Sequence, residues 1–230
     1  MLDWPATGYA LWKIYDQTGI RPEYVLPVIH LESTFDPAIM NPGGCVGTMQ
    51  FCPGTYEHYV GVPVAEYRTW PASQQLAGPA LAYWYDKTRI GQIRSATRLM
   101  QAQLAPGELQ KAPSLDSVVY QSPSGGYNGN KGVFDPSRKG YFTLQDLANV
   151  MKDHANSSAV QDAIVRTYAL RPDERTHDPV YGDDFGFRGL IAPLGMPRRS
   201  VQVAGVIFTI SALSLAAAAA TLASWERERA

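Results

Sequence analysis

The stretch Arg21–Tyr56, reading RPEYVLPVIHLESTFDPAIMNPGGCVGTMQFCPGTY, leaves few ways to fold: an apolar helix finishes on an acid and the chain must then turn back. Pro22 suits the first helical position, where its missing N–H costs nothing. Val25, Ile29 and Glu32 fall at i, i+4 and i+7, so helical winding sets the Glu32 carboxyl on a stripe of side chains that favour burial. Desolvation disfavours the ionised form, which raises a carboxyl pKa and fits it for general-acid work near neutral pH. Pro27 lies inside this helix and predicts a kink in its first two turns, because its ring displaces one backbone hydrogen bond.

Phe35-Asp36-Pro37 stops the helix, and Asn41-Pro42-Gly43-Gly44 with Gly47 permits a reversal that brings main-chain amides close to a ligand. Met49-Gln50-Phe51 then sets one amide between two apolar side chains, a mixture suited to a sugar-binding cleft. Cys45 and Cys52 flank that run. Two thiols make no disulfide framework and no metal spacing; a local disulfide bracing the turn and two small buried side chains both remain open, the second being favoured.

Glu32-Ser33-Thr34-Phe35-Asp36-Pro37 followed by Gly44-Cys45-Val46-Gly47-Thr48-Met49-Gln50-Phe51-Cys52-Pro53-Gly54-Thr55 resembles the soluble lytic transglycosylase motif, E-S-x-F-x-P…G-A-x-G-L-M-Q-x-x-P-x-T. Fixed spacing and several unrelated residue types make the match specific. Tyr127-Asn128-Gly129-Asn130-Lys131-Gly132 is similar to the family's later Y-N-A-G block, with Asn130 where the family has glycine. The resemblance covers about Leu11 to Val150. It implies a mainly α, lysozyme-like domain of the goose-type/lytic transglycosylase class that cleaves peptidoglycan glycan strands. It also implies roles: Glu32 as catalytic acid and then base, Tyr127 with its hydroxyl directed at Glu32, and Asn128 as a cleft hydrogen bond. Beside these, Ser33 reads either as orienting the carboxyl or as an ordinary helix-terminal cap, Gln50 as a cleft contact, and Met49 and Phe51 chiefly as packing.

The chain has 230 residues and a formal net charge of −1, so no polyanion footprint supports a nucleic-acid partner. Trp4, Leu11, Trp12 and Tyr15 predict a first amphipathic helix, packed on the one that carries Glu32. Segments 71–85 and 90–104 read as helices, with Arg94 and Arg98 solvated on the second. Residues 115–120 read as a short apolar turn or helix, and 144–170 as two helices joined at Asn156-Ser157-Ser158. Taken alone, the run 125–132 reads as a surface turn, and without a Gly-Lys-Ser/Thr ending it is no P-loop. His30 and His58 read as structural, and with no HExxH pattern neither metal nor cofactor is expected.

These elements predict a lysozyme-like domain over 1–170, a linker or wrapping arm over 171–200, a transmembrane helix over 201–225 and a charged tail over 226–230. Val203 to Ala223 carries no charge and, as a helix, spans about 32 Å against the ~30 Å of a bilayer core. Arg198 and Arg199 before it, and Trp225 to Arg229 after it, match interfacial anchors but balance in charge and give no orientation. Ala212, Ala216 and Ala220 form a small-residue row suited to a helix–helix partner in the membrane. Met1 to Thr18 lacks the apolar core of a secretory signal. The expected setting is therefore a membrane-associated virion component of a phage, acting on the host wall during genome entry, with a bacterial wall-gapping enzyme of a secretion apparatus as the alternative.

Two-carboxylate glycosidases need a second acid near the first. Asp36, Glu57 and Asp135 are candidates, each more simply read as a helix-end, loop or solvated residue. The family's chemistry uses a single carboxyl, with ring closure to a 1,6-anhydro sugar. A lysozyme-type hydrolase and a non-catalytic glycan-binding or structural membrane protein are the competing readings.

Overall fold

The computed structural model describes residues 2–184, apart from 112, 175 and 183. Helix α1 (Trp4–Thr18) starts where the Asp3 carboxylate accepts the Ala6 N–H at 3.2 Å, and stops at Gly19, whose φ of 74° lets its N–H return to the Tyr15 carbonyl. Helix α2 (Pro22–Ser33) begins on Pro22 and continues through Pro27. It ends because two successive residues, Thr34 (φ 49°) and Phe35 (φ 66°), take left-handed backbone.

Three short helices follow: α3 (Thr55–Tyr59), α4 (Val64–Tyr67) and α5 (Ala72–Gln75). A π turn over Leu76–Ala80, which contains Pro79, leads from α5 into α6 (Leu81–Thr88). Helix α7 (Ala96–Leu104) is capped by Ser95, whose hydroxyl accepts the Arg98 N–H at 3.1 Å. Strands β1 (Val118–Gln121) and β2 (Tyr141–Thr143) pair antiparallel, with Tyr120 opposite Phe142, and enclose helix α8 (Gly125–Phe134) in sequence. Helices α9 (Leu144–Ala155) and α10 (Ser158–Tyr168) close the described helical set, each opened by a hydroxyl cap, Thr143 and Ser157.

Helix α2 sits at the centre, packed against α1, α7, α9 and α10, with Val25, Leu26, Val28 and Ile29 all buried. Burial on every side explains why an almost uniformly apolar helix is stable there. Of the segment read as 171–200, residues 171–184 lie against the domain. Arg171 forms a two-pronged ion pair with Asp16 at 2.6 and 2.7 Å, the His177 N–H donates to Glu23 at 2.8 Å, and Pro179 and Val180 present carbonyls to the first turn of α7.

Three expectations are corrected. Residues 118–121 form a strand rather than a turn or helix, because pairing with β2 supplies hydrogen bonds that a short apolar run cannot find alone. The glycine-rich run 125–132 is helical, held by a Ser124 cap that accepts the Tyr127 N–H. Arg98 is buried rather than solvated: its guanidinium donates to the side-chain oxygen of Gln101 at 2.5 Å and to the Leu109 carbonyl at 2.8 Å. The predicted membrane helix, with its small-residue row, lies outside the described residues; among those, no helix is long and apolar enough to cross a membrane.

Candidate active site

Glu32 is the last acid on α2, one turn beyond Ile29, and its side chain faces a cleft of about 470 Å³. Gly43, Met49, Gln50 and Phe51 from the reversal form part of the wall, and Tyr83, Gln103, Gly129 and Asn130 complete it from α6, α7 and α8. Burial without a cationic partner pushes the Glu32 carboxyl up to about 7. Among the described residues its one hydrogen-bond donor is the Gln103 amide, at 2.9 Å from Oε1, and the same nitrogen reaches the Met49 carbonyl at 3.1 Å. A bridge from α7 thus ties the carboxyl to the reversal. Among the described residues that line the cleft, Glu32 is the only carboxylate.

The reversal is held from behind. Gly47 has a φ of 83°, and a β-carbon there would meet the Tyr67 ring at 2.6 Å and the Gln75 oxygen at 2.7 Å, so only glycine fits. Gln75 is fully buried; its oxygen accepts from the Thr48 N–H and hydroxyl at 2.8 and 3.1 Å, and its nitrogen donates to the carbonyls of Pro37 and Tyr67. Cys45 and Cys52 are joined by a disulfide, which corrects the reading of two separate thiols. The antiparallel bridge between Val46 and Phe51 explains it, because the flanking residues 45 and 52 then stand opposite one another.

Of the sequence-predicted site residues, Glu32, Met49, Gln50 and Phe51 meet at this cleft and the others do not. Met49 is fully buried and offers its carbonyl to Gln103; Phe51 stacks among Tyr59 and Tyr83. The Gln50 amide lines the cleft while donating to the Gly47 carbonyl at 3.0 Å. Ser33 is buried with its hydroxyl donated back to the Ile29 carbonyl at 3.0 Å, so it spends its proton within the helix rather than on the carboxyl. Tyr127 is corrected as well: its hydroxyl donates to Asp135 at 2.9 Å, not to Glu32. Asn128 donates to the Pro123 carbonyl on the far side of α8, because adjacent helical residues point about 100° apart and it is Gly129 and Asn130 that face the cleft.

The alternative acids are occupied elsewhere. Asp36 accepts the Ala38 N–H, Glu57 caps α3 through the Gly54 N–H, and Asp135 holds its own turn. His30 and His154 face each other through their Nδ1 atoms at 2.8 Å, and the described residues contain no cluster of three or more His, Cys, Asp or Glu that could hold a metal ion.

Gln103 and Tyr83 escaped the sequence reading. Ala96, Leu99 and Gln103 lie at i, i+3 and i+7 on the stripe of α7 that packs on α2, so a polar residue interrupts a buried stripe there just as Glu32 does.

Residues 11–80 match the family model described as Transglycosylase SLT domain. The SLT domain is a lytic transglycosylase catalytic domain. The matched segment runs from the middle of α1 through α2 and the whole reversal, whereas the start of α1, Tyr83, Gln103 and α8 lie outside it. Peptidoglycan is the substrate such a domain implies, and the mainly helical architecture around Glu32 is of the SLT, lysozyme-like kind. Comparison with curated proteins and with solved structures gives no match.

Proposed function

We propose that the chain cleaves the β-1,4 bond between N-acetylmuramic acid and N-acetylglucosamine with formation of a 1,6-anhydro end. The observation that carries this reading is the lone cleft carboxyl held near pH 7. Protonated Glu32 gives its proton to the glycosidic oxygen as the bond to the anomeric carbon breaks, and the substrate's acetamido oxygen stabilises the positive charge that develops. The resulting carboxylate accepts the C6 hydroxyl proton as that oxygen closes on the anomeric carbon. One residue serves as acid and then base, so no second carboxylate is required, in contrast to two-acid glycosidases.

Gln103 supports the second half by donating to the carboxylate, and the apolar wall of Met49, Phe51 and Tyr83 keeps the first half possible by raising the pKa. Digestion of purified sacculi with mass spectrometry of the fragments tests the reading. Anhydro-ended muropeptides are expected; reducing ends would replace it with a lysozyme-type hydrolase, and no release would leave a glycan-binding protein.

The setting we propose is tethered to a membrane through the uncharged run 203–223, in a phage virion that opens the wall locally at genome entry. Detection in purified particles tests it. Finding the chain only in cell membranes would favour a bacterial wall-gapping role instead.

A further inference from the structure

Helix α8 separates two grooves. Gly129 and Asn130 face the Glu32 cleft, while Asn128, Lys131 and Gly132 face a second groove of about 810 Å³ whose other wall is the turn from Asp135 to Gly140. The chemistry of the second groove differs from that of the first. Among the described residues, the ammonium of exposed Lys131 meets only the Asn128 oxygen, at 3.5 Å, and the guanidinium of exposed Arg138 forms no ion pair.

The groove's one anion is already committed. Burial pushes the Asp135 carboxyl up, but the N–H groups of Lys139 and Gly140 and the hydroxyls of Tyr127 and Ser137 outweigh this and hold it at about 2. Two unpaired cations therefore face the groove over an anion that is fully hydrogen-bonded beneath its floor.

The backbone around this groove carries a further mark. Arg138 takes a φ of 60°, and among the described residues the other non-glycines with positive φ are Thr34, Phe35 and Gln50, which border Glu32 or line its cleft. Strained backbone of this kind collects at working sites. The glycines of α8 point the same way: Gly129 and Gly132 sit inside a helix, need no left-handed φ, and would place a β-carbon in open space. Neither conformation nor packing asks for the poorest helix former after proline at either position. Without side chains there, the ridge between the grooves is low enough for a branched ligand to straddle it.

We propose that the second groove binds the carboxylates of the peptide stems carried by the same glycan strand, with Lys131 and Arg138 as the anchoring cations and Gly129 and Gly132 as the saddle that the stem crosses. This rests on the transglycosylase reading for the strand in the Glu32 cleft. It makes the enzyme selective for stem-bearing over stripped strands.

The test uses the full chain and soluble glycan strands with stems intact or removed by an amidase. The Glu32→Gln protein is expected to bind stem-bearing strands more tightly than stripped ones, and adding Lys131→Glu with Arg138→Glu is expected to reduce the stem-bearing affinity about tenfold, leaving stripped strands within about twofold. Gly132→Leu should reproduce that selective loss, whereas Gly132→Ala, which stays small, should keep binding and raise the melting temperature. Equal affinity of the parent for both strands, or parallel losses on both, would overturn the proposal. If stem-selective binding holds while Glu32-intact protein releases no fragments, the groove stands and the transglycosylase reading falls. Cleavage of both strand types without selectivity has the reverse meaning.

Discussion

Burial against Met49, Phe51 and Tyr83 pushes the Glu32 carboxyl up to about 7, and the Gln103 amide that it accepts from is a neutral donor. The acid step needs the protonated form, so kcat/KM should be level below pH 7 and fall about tenfold per pH unit above it, which a pH–rate profile on soluble strands checks. Linkage gives a second consequence. A carboxyl whose folded pKa lies above its unfolded value binds its proton more tightly when folded, so the wild type loses stability as pH rises from about 4.5 to 7, by on the order of 3 kcal/mol. Glu32→Gln should abolish cleavage, match the wild type in stability near pH 4 and exceed it at pH 8; denaturant melts at the two values decide. Gln103 hydrogen-bonds the ionised carboxyl, so Gln103→Leu should move the alkaline limb upward and cut turnover by about tenfold or more. Tyr127→Phe should leave the pH profile unchanged, because its hydroxyl serves Asp135.

At the level of elements, what sequence could reveal depended on how local the cause was. Helices α1, α2, α9 and α10 follow from apolar spacing and caps that neighbouring residues supply, and the Glu32-to-Phe51 half of the site lies on one continuous stretch. Strand β1 depends on a partner more than twenty residues away, and α8 is helical despite four glycines in its ten residues because its cap and its contacts with β1, β2 and α9 override weak propensity. Tyr127 was misplaced for the same reason: the order of residues along the chain does not say which side of α8 meets the cleft. Gln75 shows the limit most clearly, since nothing local marks it as the partner of the Gly47 reversal. Gln75→Ala would take the partner from the Thr48 N–H and the side-chain donor from the Pro37 and Trp70 carbonyls, costing about 2–4 kcal/mol. Fragment release should fall further than stability alone accounts for, because the wall bearing Met49 and Gln50 loses its brace. A chemical-denaturation curve paired with activity at a temperature where the variant stays folded separates the two effects.

Across the molecule, the helix that carries Glu32 depends on chain that comes much later. Glu23, on α2 with Glu32, is fully buried; burial raises its carboxyl pKa even though the Tyr168 hydroxyl and the His177 N–H donate to it. The same arm closes the start of α7, the helix that carries Gln103: the Ala96 N–H donates to the Pro179 carbonyl at 2.9 Å, and the Asp184 carboxylate accepts from Ser95 and from the Arg94 N–H at 2.7 and 2.9 Å. Both partners of the Glu32–Gln103 bridge thus stand on helices fastened by residues 171–184. A chain cut after Leu170 would strand the Glu23 carboxyl in the core with one donor fewer and free the first turn of α7, a loss of several kcal/mol by the usual cost of unpaired buried groups. A chain cut after Ile191 keeps every one of those contacts. The expected outcome is a cooperative melt and anhydro-muropeptide release for the longer form, and a melting temperature lower by ten degrees or more, about what several kcal/mol costs a domain this size, for the shorter. Equal melts would show that the arm merely rests on the surface and that α2 and α7 hold the carboxyl and its donor without it.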